Sequence, residues 1–509
     1  MDQPYSRIAD ALLDYQFWAP NDPQTRPYDD TGWTFPEGFG VQAVRITDTK
    51  VLEAPMERVK GDVKAPSGVK GDGQIFAVNH AGDNTLIGLR YALPKADIQL
   101  AEEPFEADGT KFNRGTFIIQ GVASADLAKV TGELGLAAMA LAAKPTVKTH
   151  PARAARVAIL HQWSGTQTEG WWRQAFDLYG VKYDYIDPET IRKTPRLRDR
   201  WDVIVFGPGG GQAAVEGTPM WRNPIPWKQS AEMPNVGTFA QTDDTRIGMG
   251  LEGLIRLREF INEGGVYLGA NSSAEFAITN NFSYGVAYGR AATAPRVDGS
   301  LLRTKLADDA SPIMYGVPDN LAVYSSAGDY LTVSATSGAG GGRGGGPPSP
   351  TATAGQAGGR GAGGGGSRAT GRGTADDADS VQGRPAYEAT NLTPLPTPPV
   401  VQPWQYSLPT EEQMKRNPNP ANLIPPAFRP RVVLRFDTQA SLLVSGLLEG
   451  GTEIAQRPVV VDVPVGKGHV VLFANNPIYR GETIGSYPMV FNTILSFDSL
   501  DAGRKVDAK

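Results

Sequence analysis

From Gln74 onward, apolar positions fall into short runs that alternate with stretches of helical spacing. QIFAVN (from Gln74), ADIQLAEE (from Ala96) and GTFIIQG (from Gly115) predict strands. NTLIGLRYAL (from Asn84) and SADLAKVTGELGL (from Ser124) predict helices. Together they form a small α/β module over 72–150. A second series opens with ARVAILHQ (from Ala155). It continues with VKYDYID (from Val181), WDVIVFGPGG (from Trp201) and VYLGA (from Val266) as strands. Between them lie helical segments. In one, Trp172, Ala175, Phe176 and Tyr179 recur at i, i+3, i+4 and i+7, with Thr166 and Glu169 at capping-box spacing and Gly180 as the stop. LEGLIRLREFINEGG (from Leu251) gives another helix. Strands alternating with helices predict a parallel, doubly wound sheet over 155–336 and 384–500. PRVVLRFD (from Pro430) and a hairpin around Gly466–Gly468 follow, and the helix SYPMVFNTILSF closes the domain.

The pattern lapses twice. Residues 1–71 are rich in Pro, Asp and Gly with scattered aromatics, and read as an extended lead-in that packs on something else. Residues 337–383 are Gly/Ser/Pro-rich and hold no aromatic, so they cannot bury enough surface to offset chain entropy. A disordered insertion is expected there.

Composition narrows the chemistry. The 509 residues are 40% hydrophobic and 20% charged, with net charge −5, which gives no electrostatic reason to expect nucleic acid or an anionic membrane as partner. No apolar run reaches the ~18 residues of a transmembrane helix, and the first residues lack the basic and apolar regions of a signal peptide. Cysteine is absent, which removes thiolate nucleophiles, thiolate metal sites and disulfides. The histidines are His80, His150, His161 and His469.

Gly264–Phe276 (GGVYLGANSSAEF) has the strand–turn–helix layout of a nucleophile elbow, but Asn271 stands in the nucleophile slot, and no base activates an amide for attack. Shifting the frame puts Ser272 there, with His469 and an acid such as Asp462 as the partners a serine hydrolase needs. The simpler expectation is that Asn271, Ser272 and Ser273 cap the next helix. His80–Asp83 is an H-x-x-D without a third ligand, with His80 read as an exposed strand end and Asp83 or Asn84 as a helix cap, so no metal is expected. Ligands of open α/β sheets gather beyond the carboxyl ends of the strands. There the candidates are Trp163, Glu169, Trp171, Gly209, Asn271, and Asp243 with Asp244 before Arg246. Pro208–Gln212 offers backbone N–H groups, but no clear helix opens after it.

MDQPYSRIADALLD, RPYDDTGWTF and KFNRGTFIIQG together resemble the segment that follows the catalytic domain in large bacterial zinc carboxypeptidases of the carboxypeptidase A family. ARVAILHQWSGTQTEGWWRQAFDLYGVKYDYID, LRDRWDVIVF and GKGHVVLFANNPIYRGETIGSYPMVFNTIL resemble the C-terminal domain of the same proteins. The resemblance covers most of the chain outside 337–383. It implies a flavodoxin- or amidotransferase-like sheet and a parent metallopeptidase with an H-x-x-E zinc site, normally exported. This chain has no H-x-x-E, and Asn271 stands near the amidotransferase cysteine position. No catalytic or zinc residue carries over.

The resulting expectation is an accessory region for binding or assembly, inactive by itself. Zinc belongs only to an upstream peptidase domain, which is one implied partner; a peptide or sugar ligand is another. The alternatives are the Ser272 hydrolase and a stand-alone binding module. The chain is expected to be periplasmic or secreted if it continues upstream of Met1, and cytoplasmic if Met1 is its start.

Overall fold

The structure, a computed structural model, describes residues 5–18, 30–218 without 62 and 64, 222–290, 296–337, 401–406 and 423–505, with isolated positions between 407 and 422. The insertion expected at 337–383 lies outside the described residues from 338 onward.

Five parallel strands stand side by side in the order Tyr183–Ile186, Val157–Leu160, Val203–Phe206, Val266–Ala270 and Gly468–Phe473. In chain order this is 2-1-3-4-5, the flavodoxin-like arrangement. Four of these strands, Val157–Leu160, Val203–Phe206, Val266–Ala270 and Gly468–Phe473, are buried at every position. A parallel sheet covered by helices on both faces requires such unbroken apolar runs. The doubly wound sheet is therefore present, as one half of a larger one. Beyond Gly468–Phe473 the direction reverses at the predicted hairpin, where Val465 pairs with Gly468 and Gly466 takes φ 61°. Pro458–Val465, Arg431–Phe436, Ser300–Leu306 and Ala322–Ser325 then continue the sheet antiparallel.

The 72–150 module forms a second, six-stranded sheet in the order Gly68–Lys70, Ala137–Leu141, Ile75–Val78, Phe117–Gln120, Asp97–Ala101 and Thr149–Pro151. Ala137–Leu141 has no strand-like sequence pattern. It is a strand because it pairs on both sides, parallel to Gly68–Lys70 and antiparallel to Ile75–Val78. The two sheets share one hydrophobic core, which includes Phe76, Ile98 and Phe117 of one, Val157 of the other, and Trp172 and Phe491 from the helices Thr166–Leu178 and Tyr487–Leu495. The closing helix Tyr487–Leu495 is buried at every residue, as a helix apolar all round must be. Its one amide, Asn492, donates to the carbonyls of Tyr315 (2.8 Å) and Ile313 (3.2 Å) and bonds His80 Nε2 at 3.0 Å. His80 is thus a satisfied core group and not an exposed strand end. Asn84 stands at the helix start but its side chain makes no capping bond; it donates instead to the carbonyl of Ile484 at 3.0 Å.

The first 71 residues, expected to be extended and to pack on something else, are not extended throughout. They contain the helices Ser6–Leu13 and Phe35–Phe39. Around Gly32 they lie directly on the antiparallel half: Thr31 and Gly32 donate to the carbonyl of Gly299, and Arg303 binds Glu37 at 2.8 Å. A Cβ on Gly32 would fall 2.3 Å from the carbonyl oxygen of Ser445, so the approach needs glycine.

Candidate functional site

The chain leaves Val157–Leu160 toward one side of the sheet, to Tyr183–Ile186, and later re-enters on the other side, at Val203–Phe206. That is the switch point at which the two flanking loops diverge and open a crevice. Here the loops are His161–Gly165 and Gly207–Gly210, and together with Glu169 they enclose a narrow cleft. Gly209, at φ 98°, closes its floor, since a Cβ there would stand 2.9 Å from the carbonyl oxygen of Gly165.

Glu169 sits in the first turn of the helix Thr166–Leu178 and is 4% exposed. The capping box expected between Thr166 and Glu169 does not form. Gly165 is the N-cap, and Glu169 Oε2 accepts from the Tyr185 hydroxyl at 2.8 Å. Glu169 Oε1 has no partner among the described residues. Burial pushes the carboxyl up to about 7, against the pull of the Tyr185 hydrogen bond and the Arg173 charge. His161 stacks on Tyr185 with ring centres 3.9 Å apart and meets the edge of Trp163 at 4.8 Å. Its Nδ1 faces the Gln162 carbonyl at 3.1 Å, which places the proton on that nitrogen and leaves Nε2 as an unpartnered acceptor. Burial pushes the imidazole down, so it stays neutral.

The elbow lies beside this cleft. Asn271 takes φ 49° and ψ −119°, a strained conformation at the end of Val266–Ala270. Its backbone N–H donates to the carbonyl of Phe473 (2.9 Å) and its side-chain amide to that of Ala474 (2.7 Å). Tyr288, from the two-stranded ribbon Val286–Arg290 and Asp329–Val333, also hydrogen-bonds the Asn271 side chain and gives its own hydroxyl proton to Asp329 at 2.8 Å. Asn271 is the N-cap of the following helix by position, but it makes no side-chain capping bond there. Ser273 is wholly buried, accepts from the Ala270 N–H at 2.8 Å and touches the Phe206 carbonyl, fastening the turn to the neighbouring strand. Ser272 Oγ accepts from the Gly209 N–H at 3.1 Å.

The structure does not assemble a hydrolase from Ser272. His469 and Asp462 do form a pair, Nδ1 to Oδ1 at 2.7 Å, but His469 lies opposite Val266 in the sheet register, while Ser272 lies beyond Ala270. Four residues of strand, roughly 13 Å, and the elbow separate them. Arg504 takes the other oxygen of Asp462 at 2.9 Å, which completes a structural cluster at the opposite edge of the sheet.

Of the predicted ligand residues, Glu169 and Gly209 line the cleft, Trp163 abuts it through His161, and Asn271 stands next to it. Trp171 points elsewhere, against Tyr479 at 4.8 Å, because it lies off the stripe that faces the sheet. Asp243 is an exposed side chain ion-paired with Lys228, and Asp244 is held by Arg246 at 2.6 Å. A short helix, Ala213–Glu216, does follow Pro208–Gln212. Tyr185 and His161 are the site residues absent from the predicted ligand set. The spacing of Tyr183 and Tyr185 puts both on one face of a strand, which was the available signal. Among the described residues no three His, Asp or Glu side chains gather as a metal site. A buried carboxyl that titrates near neutrality and an imidazole acceptor can hold a polar group, while Asn271, at the nucleophile position of the elbow, carries neither hydroxyl nor thiol.

No family model matches this sequence, and no curated protein matches it. Among solved structures, the chain is similar to a cytoplasmic protein from Salmonella typhimurium at 12% identity, covering 67% of this chain and 97% of that one, with a TM-score of 0.28. A ThuA-like protein from Bacteroides uniformis matches at 8% identity over 70% and 97%, TM-score 0.29. A glutamine amidotransferase from Thermotoga maritima matches at 14% over 36% and 64%, TM-score 0.22. At such scores these likenesses carry no argument about activity. The strand order defines the class directly: an α/β protein whose parallel half is doubly wound.

Proposed function

We propose that this chain is a non-catalytic binding and assembly region, and that its binding crevice is the switch-point cleft between Glu169, His161 and Gly209. The observation that carries this reading is Asn271. The strained position that lifts a nucleophile in such folds holds an amide, which is tied to the Ala474 carbonyl and covered by Tyr288. A site without a nucleophile retains its shape and its unpartnered acceptors, and these favour holding a ligand. The resemblance to the region downstream of a zinc-carboxypeptidase domain supports an accessory role beside a peptidase, with export of the parent protein as its corollary.

The test has two arms. The isolated chain is assayed for peptidase turnover, zinc content and fluorophosphonate labelling, and all three should be negative. Hydrolysis lost in Ser272→Ala would refute the reading. In the second arm, thermal-shift titration with short peptides and with sugars should find a stabilising ligand whose effect is lost in Glu169→Gln and kept in Trp171→Ala. A shift lost in Trp171→Ala and kept in Glu169→Gln would move the site away from the cleft.

A further inference from the structure

Tyr185 receives His161 on one face, and on the other it carries the guanidinium of Arg173, whose Cζ is 4.5 Å from the ring centre. The same guanidinium lies 4.1 Å from the centre of the Phe239 ring. Arg173 is thus clamped between two aromatics, and no carboxylate among the described residues reaches ion-pair distance of it.

Arg173 forms the wall of an open groove of about 410 Å³ along the outer strand of the parallel half. That volume falls within the range of small-molecule sites. Tyr183, Tyr185 and Phe239 supply flat apolar walls, and Phe239 is 72% exposed, a large apolar ring left in water. Lys182 adds a second cation. The one acid of the lining, Asp177, accepts the Tyr183 hydroxyl at 3.0 Å. The lining therefore carries two cations against one carboxylate, on a framework of three rings.

We infer that this groove, separate from the switch-point cleft, binds a small aromatic carboxylate, with the carboxylate on the Arg173 guanidinium and the ring against Phe239 and Tyr183. A planar guanidinium fixed by stacking presents its N–H fork without further loss of side-chain freedom, and a carboxylate matches that fork in two parallel hydrogen bonds. The aromatic walls select a flat body over an aliphatic one. Neither the vacant elbow nor the state of Glu169 enters this argument, so the groove stands or falls independently of the cleft.

Isothermal titration of the full chain with benzoate, benzamide and cyclohexanecarboxylate tests it. Benzoate should bind saturably. Benzamide, with the ring but no charge, and cyclohexanecarboxylate, with the charge but no flat ring, should each bind about tenfold more weakly. Arg173→Gln should weaken benzoate about tenfold. Phe239→Ala should weaken it several-fold at an unchanged melting temperature, since that ring is exposed. The inference is overturned if benzoate shows no saturable binding, if it binds no better than benzamide, or if Phe239→Ala leaves its affinity intact. The wild-type ligand comparison decides the matter even where Arg173→Gln perturbs folding.

Discussion

Inside a protein, a carboxyl group with no cation bonded to it costs free energy whenever it ionises, and Glu169 is such a group. Its ordinary value of 4.5 moves to about 7 because burial outweighs the Tyr185 hydrogen bond and the Arg173 charge. Below about 4.5 both folded and unfolded chains hold the proton, and the group is neutral in the balance. Between about 4.5 and 7 the unfolded chain releases the proton while the folded one keeps it, so stability falls as pH rises; above 7 the loss is complete. The loss is on the order of 3 kcal/mol. Urea unfolding of wild type and Glu169→Gln at pH 5 and pH 8 measures it. The variant should lack this part of the decline, and equal declines would show that Glu169 ionises freely. The role of Glu169 was only half legible from sequence. Its position near a strand's carboxyl end was readable, but the partner was Tyr185, 16 residues away on the outer strand. Local spacing suggested Thr166 instead, since a capping box and a buried hydrogen bond to a distant strand look alike until the helix is docked.

At the scale of elements, the elbow holds its strained turn through Ser273 rather than through helix caps. Ser273 is fully buried, and its hydroxyl ties the Ala270 N–H to the carbonyl of Phe206 on the adjacent strand. Ser273→Ala leaves that N–H unpaired in the interior and should cost about 2 kcal/mol in urea unfolding. Ser272→Ala loses one bond at the cleft rim, from the Gly209 N–H, and should cost less than about 1 kcal/mol. Equal costs would mean that the turn is not fastened at Ser273. The parallel half was readable because each apolar run is bounded by glycines or polar turns and is followed by a helical period. In the antiparallel half, Arg431–Phe436 and the hairpin strand Pro458–Val465 were readable, but Ser300–Leu306 and Ala322–Ser325 were not. Ser300–Leu306 carries Arg303 and Lys305 among its apolar residues, and Thr304 pairs with Phe436 more than a hundred positions away, across the glycine-rich insertion. Nothing local to either strand announces that partner.

At the scale of the molecule, the segments around Gly32 and around Arg504 are both fastened to the sheets. At the front, Gly32 passes so close to Ser445 that Gly32→Ala must push the segment outward. Hydrogen exchange should then show residues 31–38 losing protection while Val266–Ala270 keeps its own; protection unchanged at both would show that the front segment docks some other way. Sequence indicated that this segment packs on something but not on what, because it is held by backbone and polar contacts, which leave no hydrophobic period. At the back, Arg504 is 8% exposed and binds Asp462, itself fully buried, at 2.9 Å, while giving a second bond to the carbonyl of Arg429 at 2.9 Å. Burial alone would push the Asp462 carboxyl up. His469 and Arg504 outweigh it and hold the group below the usual Asp range. The stability this supplies is present in full above that range and is lost as pH falls through the depressed value. Arg504→Ala leaves a buried carboxylate bonded only by His469, with the Arg431 charge acting from the paired strand, and should cost about 3 kcal/mol at pH 7. The gap between wild type and variant should narrow as the pH is lowered toward 3, because a protonated Asp462 has no charge for Arg504 to neutralise. Asp462→Asn combined with Arg504→Ala should cost less than the sum of the two single changes. A gap constant with pH, or simple additivity, would show that Arg504 acts by packing alone.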